Sequence, residues 1–185
     1  SVAEGHPDKL CDQVSDAILD HYMAADQNCR AAIECVATEN YLGIFGEARG
    51  PASITHKVLE EIARKKVKDI GYDQEGFHWN KIKVDIQVHS QSADIAMGVD
   101  NKEEGAGDQG IMFGYACRET DMLMPAAIHY SHKILHSLAQ ARHAGVLSKL
   151  KPDAKSQVSL EYRDGKAVRA TSLVVSTHHE EGLSQ

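Results

Sequence analysis

The chain has 185 residues and a mass of 20.3 kDa, with 42% apolar and 25% charged side chains, a composition that suits one folded domain or two small ones and argues against wholesale disorder. Twenty Lys plus Arg against 27 Asp plus Glu leave a net charge of −7 and a pI near 5.8. That balance argues against a nucleic-acid partner, which needs a basic face, but leaves room for a small anionic ligand held by a few cations at one spot. No apolar run reaches the roughly 18 residues of a membrane span and no signal-peptide pattern opens the chain, so no membrane partner is expected. Cys11, Cys29, Cys35 and Cys117 lack CxxC spacing and fit free thiols in a reducing, cytoplasmic setting. Because the chain starts at Ser1 directly in a dense motif, it reads as part of something longer.

Pro7 suits a first helical position, and Leu10, Cys11, Val14, Ala17, Ile18 and Ala25 recur at helical spacing to about Ala25. Residues Ala31 to Val36 and Tyr41 to Glu47 read as two strands joined by the polar turn Thr38-Glu39-Asn40. A second helix follows Pro51, with Ser53 as its N-cap, Ile54, Val58, Leu59, Ile62 and Val67 on its apolar side, and Gly71 as terminator. Ile82, Val84, Ile86 and Val88 alternate with polar residues as in a half-buried strand. Between Ser90 and Gly110 the pattern fails, and the stretch reads as either an interdomain linker or a binding loop. A third helix runs from after Pro125 to about His143, ended by Gly145. Val158, Leu160 and Tyr162 then lead into the Asp164-Gly165 hairpin turn, and Ala167 to Ser176 return. The order of strand pairs and single helices predicts an α+β fold, with helices on one face of mixed or antiparallel sheets.

Several segments could carry chemistry. Glu4-Gly5-His6-Pro7-Asp8-Lys9 gathers an imidazole, a carboxylate and an ammonium at a helix start. Such a terminus favours anions, and Asp8 could share a Mg2+ with phosphate oxygens. The same residues also read as ordinary helix capping, and spacing alone favours that. Gly105-Ala106-Gly107-Asp108-Gln109-Gly110 matches G-x-G-x-x-G, but no buried strand precedes it and no helix opens after it, so the dinucleotide reading is rejected. His129, His132, His136 and His143 form a stripe on the third helix. Without a carboxylate or cysteine to complete a metal set, it reads as a solvated or subunit-facing surface. Lys151 to Ser156 reads by itself as a solvated turn, and Glu34 and Glu47 as either edge guards or ligand contacts.

Taken together, Glu4-Gly5-His6-Pro7-Asp8-Lys9, Gly105-Ala106-Gly107-Asp108-Gln109-Gly110 with Met112-Phe113-Gly114-Tyr115-Ala116, and Lys151-Pro152-Asp153-Ala154-Lys155-Ser156 resemble, in order, the signatures of the S-adenosylmethionine synthetase (methionine adenosyltransferase) family. Cys11 to Ala17, Ile70-Gly71-Tyr72, Gln91-Ser92 and Gly98-Val99 extend the resemblance along essentially the whole chain. It implies repeated two-layer α+β domains: an N-terminal domain over 1–90 lacking its first strand, a gating loop over 91–107 with Gln91, Ser92 and Asp94, and part of a central domain over 108–185. It also implies that the family's C-terminal domain is absent from this chain.

The activity implied is attack of the methionine sulfur on C5′ of ATP, then hydrolysis of the expelled triphosphate to pyrophosphate and phosphate. A neutral thioether needs no base, so such catalysis rests on positioning and on stabilising the departing polyanion. By motif position the resemblance assigns His6, Lys9 and Lys155 to catalysis. It assigns His6, Lys9, Asp108, Asp153 and Lys155 to ATP, and Glu47 and Gln91 to methionine. Asp8 is implied as a ligand of Mg2+ and Glu34 of K+. Active sites shared between subunits of a homodimer or tetramer are implied as well. The chain departs from the family pattern at Ala37-Thr38-Glu39-Asn40, where Lys-Thr-Gly is usual, at Ala93 before Asp94, where proline is usual, and at Ser148-Lys149, where Pro-Trp is usual. Two other readings stand beside the enzyme: a short non-catalytic or regulatory partner assembling with full-length subunits, and a nucleotide-binding module with another phosphotransfer chemistry.

Overall fold

The computed structural model describes residues 1–91 and 109–183. The chain is α+β, in the order α1 (Pro7–Ala25), β1 (Arg30–Thr38), β2 (Tyr41–Arg49), α2 (His56–Ile70), β3 (Asp73–Gln74), β4 (Phe77–His78), β5 (Lys83–Ser90), α3 (Ala126–His143), β6 (Leu150–Arg163) and β7 (Lys166–His179). It divides into two compact units. One holds Leu10–Asp69 and Asp73–Phe113, and the other holds Ser1–Lys9, Ile70–Tyr72 and Gly114–Gln185. No helix among the described residues is long and apolar enough to cross a membrane.

In the first unit β1, β2 and β5 form one mixed sheet in that order, β1–β2 antiparallel and β2–β5 parallel. Leu42 and Ile44 of β2 and Val88 of β5 are buried. Strand residues one step out of phase point the other way. Glu34, Phe45 and Gln87 are in register on that opposite face, and so are Ala32, Glu47 and His89. Helix α1 buries Leu10, Val14, Ile18 and Tyr22, a single i, i+4 row, and α2 buries Leu59, Ala63 and Val67 the same way. Arg64 ties α2 to the segment before β5, donating to the carbonyls of Trp79 (2.9 Å) and Ile82 (3.1 Å), while Lys68 lies 4.6 Å from the Trp79 ring centre. Gly71, at φ +101°, ends α2 as its position predicts.

In the second unit α3 lies along β6, with Leu135 packed against Ala154 and Ala3, and the Ser156 hydroxyl donates to the Ser131 carbonyl at 2.8 Å. Asp164 and Gly165, both at positive φ, close the β6–β7 hairpin as the Asp-Gly pair predicts. Residues Ser1–Ala3 run antiparallel to β6, through Val2 opposite Lys155 and a 2.8 Å bond from Ala3 N–H to the Ala154 carbonyl.

Four expectations change. The α2 helix starts at His56, so its first carbonyl acceptor is Thr55, bonded by Leu59 N–H, and Ser53 is not the N-cap. Lys151–Ser156 is not a solvated turn but the first part of β6, with Pro152, Ala154 and Ser156 buried on alternate positions; its mixed charges hid a period of two. The histidine stripe of α3 is not wholly solvated, because His132 and His143 are engaged by the N-terminal residues. The short β3–β4 pair around Gly76 has no counterpart in the sequence reading.

Gly46 sits at φ +136° in β2, and a Cβ there would fall 1.9 Å from the Ala32 carbonyl oxygen. Strain and overpacking together predict that Gly46→Ala lowers unfolding free energy by roughly 2–4 kcal/mol, read by denaturant titration; an unchanged midpoint would contradict that backbone path.

Candidate active site

The Glu4–Lys9 segment is built as a fixed turn feeding α1. His6 precedes the first helical residue, Pro7, and its Nδ1 accepts from the Asp8 backbone N–H at 3.2 Å. The imidazole therefore serves as a side-chain cap, and in the neutral ring the proton resides on Nε2. Asp8 follows with its carboxylate 87% exposed, 3.7 Å from His6 Nδ1. The Lys9 ammonium turns back to the Val2 carbonyl at 2.8 Å. It lines a cleft of about 390 Å³ with Val2, Glu4, His132, Leu135 and His136. Burial first, and then the positive charge of Lys9, hold the His132 imidazole below its ordinary pKa.

Three contacts fix this turn from behind. Gly5 lies flat on Pro152, where a Cβ would come within 2.4 Å of the proline Cβ. Thus two segments more than 140 positions apart in sequence meet. The buried Tyr72 hydroxyl donates to the Gly5 carbonyl. The Glu4 carboxylate accepts from Arg142 Nη2 and lies 2.8 Å from His143 Nε2. Arg142 also donates to the Ile70 carbonyl at 2.6 Å. Burial, and then the charge of Asp153 next to Pro152, raise the Tyr72 pKa, and one Asp153 carboxylate oxygen is buried with no hydrogen-bond partner among the described residues. Lys155 is exposed, between buried Ala154 and Ser156. The turn and the Lys151–Ser156 segment thus belong to one unit.

Glu34, Glu47 and Gln91 belong to the other unit. Glu34 is exposed on β1, and Glu47 is half-buried near the end of β2. Gln91 follows β5, its N–H donating to the Ala48 carbonyl at 3.2 Å. Strand phase puts it on the face of Glu47 and His89, and its side-chain oxygen is buried with no partner among the described residues. Ser92, Asp94 and Asp108 lie outside the described residues.

No cluster of three metal-binding side chains occurs among the described residues. A lone exposed Asp8 nonetheless fits Mg2+, which takes one or two carboxylates and draws its remaining oxygens from phosphate and water. Glu34 supplies a single exposed carboxylate on β1. Sequence reasoning quoted Tyr72 within the Ile70-Gly71-Tyr72 match without giving it a role, and did not single out Arg142. An arginine in the last turn of a helix looks like any complement to the helix dipole, and only the tertiary contact marks it.

Residues 1–93 match the S-adenosylmethionine synthetase N-terminal domain and residues 103–185 the central domain of the same enzyme. The chain is 61% identical to the S-adenosylmethionine synthases of Paramagnetospirillum magneticum and Rhodospirillum centenum, and 58% to that of Parvibaculum lavamentivorans. Each match covers 100% of this chain and 48% of the relative, so the chain spans about half the length of these curated relatives. The chain belongs to the S-adenosylmethionine synthetase family.

Burial, and secondarily the Asp153 charge, push the Tyr72 phenol from 10.0 up to about 12. A raised folded-state pKa gives stability that is complete below pH 10 and is lost as pH rises toward 12. Tyr72→Phe should therefore flatten the decline in unfolding free energy across that window, measured by denaturant melts at stepped pH. An identical decline in the variant would show that burial does not raise the Tyr72 pKa.

Proposed function

We propose that the polypeptide to which these domains belong joins ATP and L-methionine to form S-adenosylmethionine, with release of pyrophosphate and phosphate. In this reading the methionine sulfur displaces triphosphate from C5′, and the triphosphate is hydrolysed in the same pocket. The observation that carries it is the fixed Glu4–Lys9 turn backed by the Lys151–Ser156 segment, in a chain whose relatives at about 60% identity are S-adenosylmethionine synthases. His6 and Lys9 bind the polyphosphate, Nε2–H and the ammonium donating to its oxygens. The ammonium already has a carbonyl partner, Val2, and exchanges a neutral acceptor for a charged one, a stronger bond. Asp153 and Lys155 meet the nucleotide, and the unpaired Asp153 oxygen gives that role a ready acceptor. Asp108 is assigned to ATP by the same motif resemblance.

Glu47 and Gln91 hold the methionine amino-acid end, supported by their shared sheet face and the unpaired Gln91 oxygen. Residues 91–107, with Ser92 and Asp94, gate the pocket and exclude water. Asp8 holds Mg2+, which neutralises charge on the leaving triphosphate, and Glu34 gives one ligand to K+. The open face of the β1–β2–β5 sheet, with Val36 48% exposed, supports a homodimer or tetramer with sites at subunit interfaces. The four free cysteines suit a cytoplasmic protein.

The test is methionine-dependent pyrophosphate release from ATP by the complete polypeptide, with and without Mg2+ and K+. Lys9→Ala should lower turnover by roughly two orders of magnitude or more, as expected when a donor to the departing charge is removed. Near-normal S-adenosylmethionine formation by that variant would remove Lys9 from the site.

A further inference from the structure

Arg142 belongs to none of the sequence motifs, yet its side chain is only 11% exposed and its guanidinium reaches several partners. It donates to the Glu4 carboxylate and, at 2.6 Å, to the Ile70 carbonyl. Gly71 has no side chain where Arg142 passes: a Cβ there would come within 2.5 Å of Nη1. The next residue, Tyr72, donates its hydroxyl to the Gly5 carbonyl. One arginine thus clamps Glu4 to the segment that supplies Tyr72, and the pair grips the two residues immediately before His6. The imidazole and the first turn of α1 inherit their direction from that grip, because Gly5 is also pressed on Pro152 and cannot shift that way.

We propose that Arg142, with Tyr72, is a positioning residue for polyphosphate binding: acting through Glu4 and Gly5, it sets the orientation of His6 and the Asp8–Lys9 turn. The inference rests on the assignment of that turn to the ATP polyphosphate. Both bonds come from Nη2, whose two N–H groups reach the carboxylate and the carbonyl at once, and the charge on the guanidinium strengthens each. Small errors in aim are costly in such a site, because stabilisation of a leaving group falls steeply with misplacement.

The experiment compares Arg142→Ala, Arg142→Lys, Tyr72→Phe, Glu4→Gln and His6→Ala in the complete polypeptide. It measures affinity for magnesium tripolyphosphate, KM for ATP and for methionine, kcat, and melting temperature. Arg142→Ala should weaken tripolyphosphate binding and raise KM for ATP by roughly 10- to 100-fold, leaving KM for methionine within about twofold. Tyr72→Phe, which keeps the ring and the packing, should move the same constants in the same direction by a smaller factor. Combining Arg142→Ala with Glu4→Gln should cost little more than Arg142→Ala alone, since both act through one contact. Added methylguanidine should restore part of the tripolyphosphate affinity of Arg142→Ala. A purely structural role predicts lower melting with tripolyphosphate affinity and KM for ATP within twofold of wild type, and that result would overturn the proposal. If Arg142→Ala does not fold, Arg142→Lys and Tyr72→Phe decide by the same constants. Should His6→Ala lose tripolyphosphate while these variants do not, only the positioning role fails. Should His6→Ala also bind normally, the turn is not a polyphosphate site and both readings fall.

Discussion

The ion pair between Glu4 and Arg142 is the constraint from which the candidate site follows. Both groups are largely withdrawn from water, so each would be costly to leave alone; breaking such a pair from one side commonly costs about 3–5 kcal/mol. The pair is therefore less a source of net stability than a device that admits one arrangement. Arg142 can satisfy Glu4 and the Ile70 carbonyl together only if the chain before α1 lies where it does. Tyr72 and Pro152 then close the remaining freedom of Gly5. What emerges is a helix start whose capping imidazole is aimed by contacts reaching to residue 142 and residue 152.

That aim matters because the chain as a whole is acidic. A net charge of −7 repels a polyanion at long range, so any attraction must be local. The helix terminus supplies oriented backbone N–H groups, and Lys9 supplies the only formal positive charge within the turn. The neighbouring cleft holds further imidazoles, and His132 is kept toward its neutral form by burial and by Lys9 itself. A site of this kind works by fixed dipoles and a few placed charges, which is what expulsion of a polyphosphate from carbon requires.

How much of this was legible in the sequence depends on the range of the interactions. Helix α1, helix α3 and the Asp164-Gly165 hairpin were readable because local periodicity and turn chemistry determine them. The capping side of the Glu4–Lys9 turn was also readable, although the residue that caps is His6 rather than the acid. The Lys151–Ser156 segment was misread from composition, since charged residues on alternate positions of a strand resemble a loop when one counts charges instead of phase. Residues Ser1–Ala3 left no signal, because three residues cannot display a period and their pairing is set by β6. Arg142 was beyond reach for the same reason, and Tyr72 was visible only as part of the Ile70-Gly71-Tyr72 match: contact with residues 4 and 5 is what gives each a role. The motif resemblance marks the Glu4–Lys9 turn, whereas the tertiary contacts explain how it is held.

The most direct measurement is a titration of the isotope-labelled protein with magnesium tripolyphosphate, following the His6 imidazole and the Asp8 and Lys9 amide resonances. The account predicts saturable shifts concentrated on those residues and on Gly5, with the Lys9 side chain leaving the Val2 carbonyl. Shifts spread over unrelated lysines, with residues 5 to 9 unmoved at saturation, would contradict it.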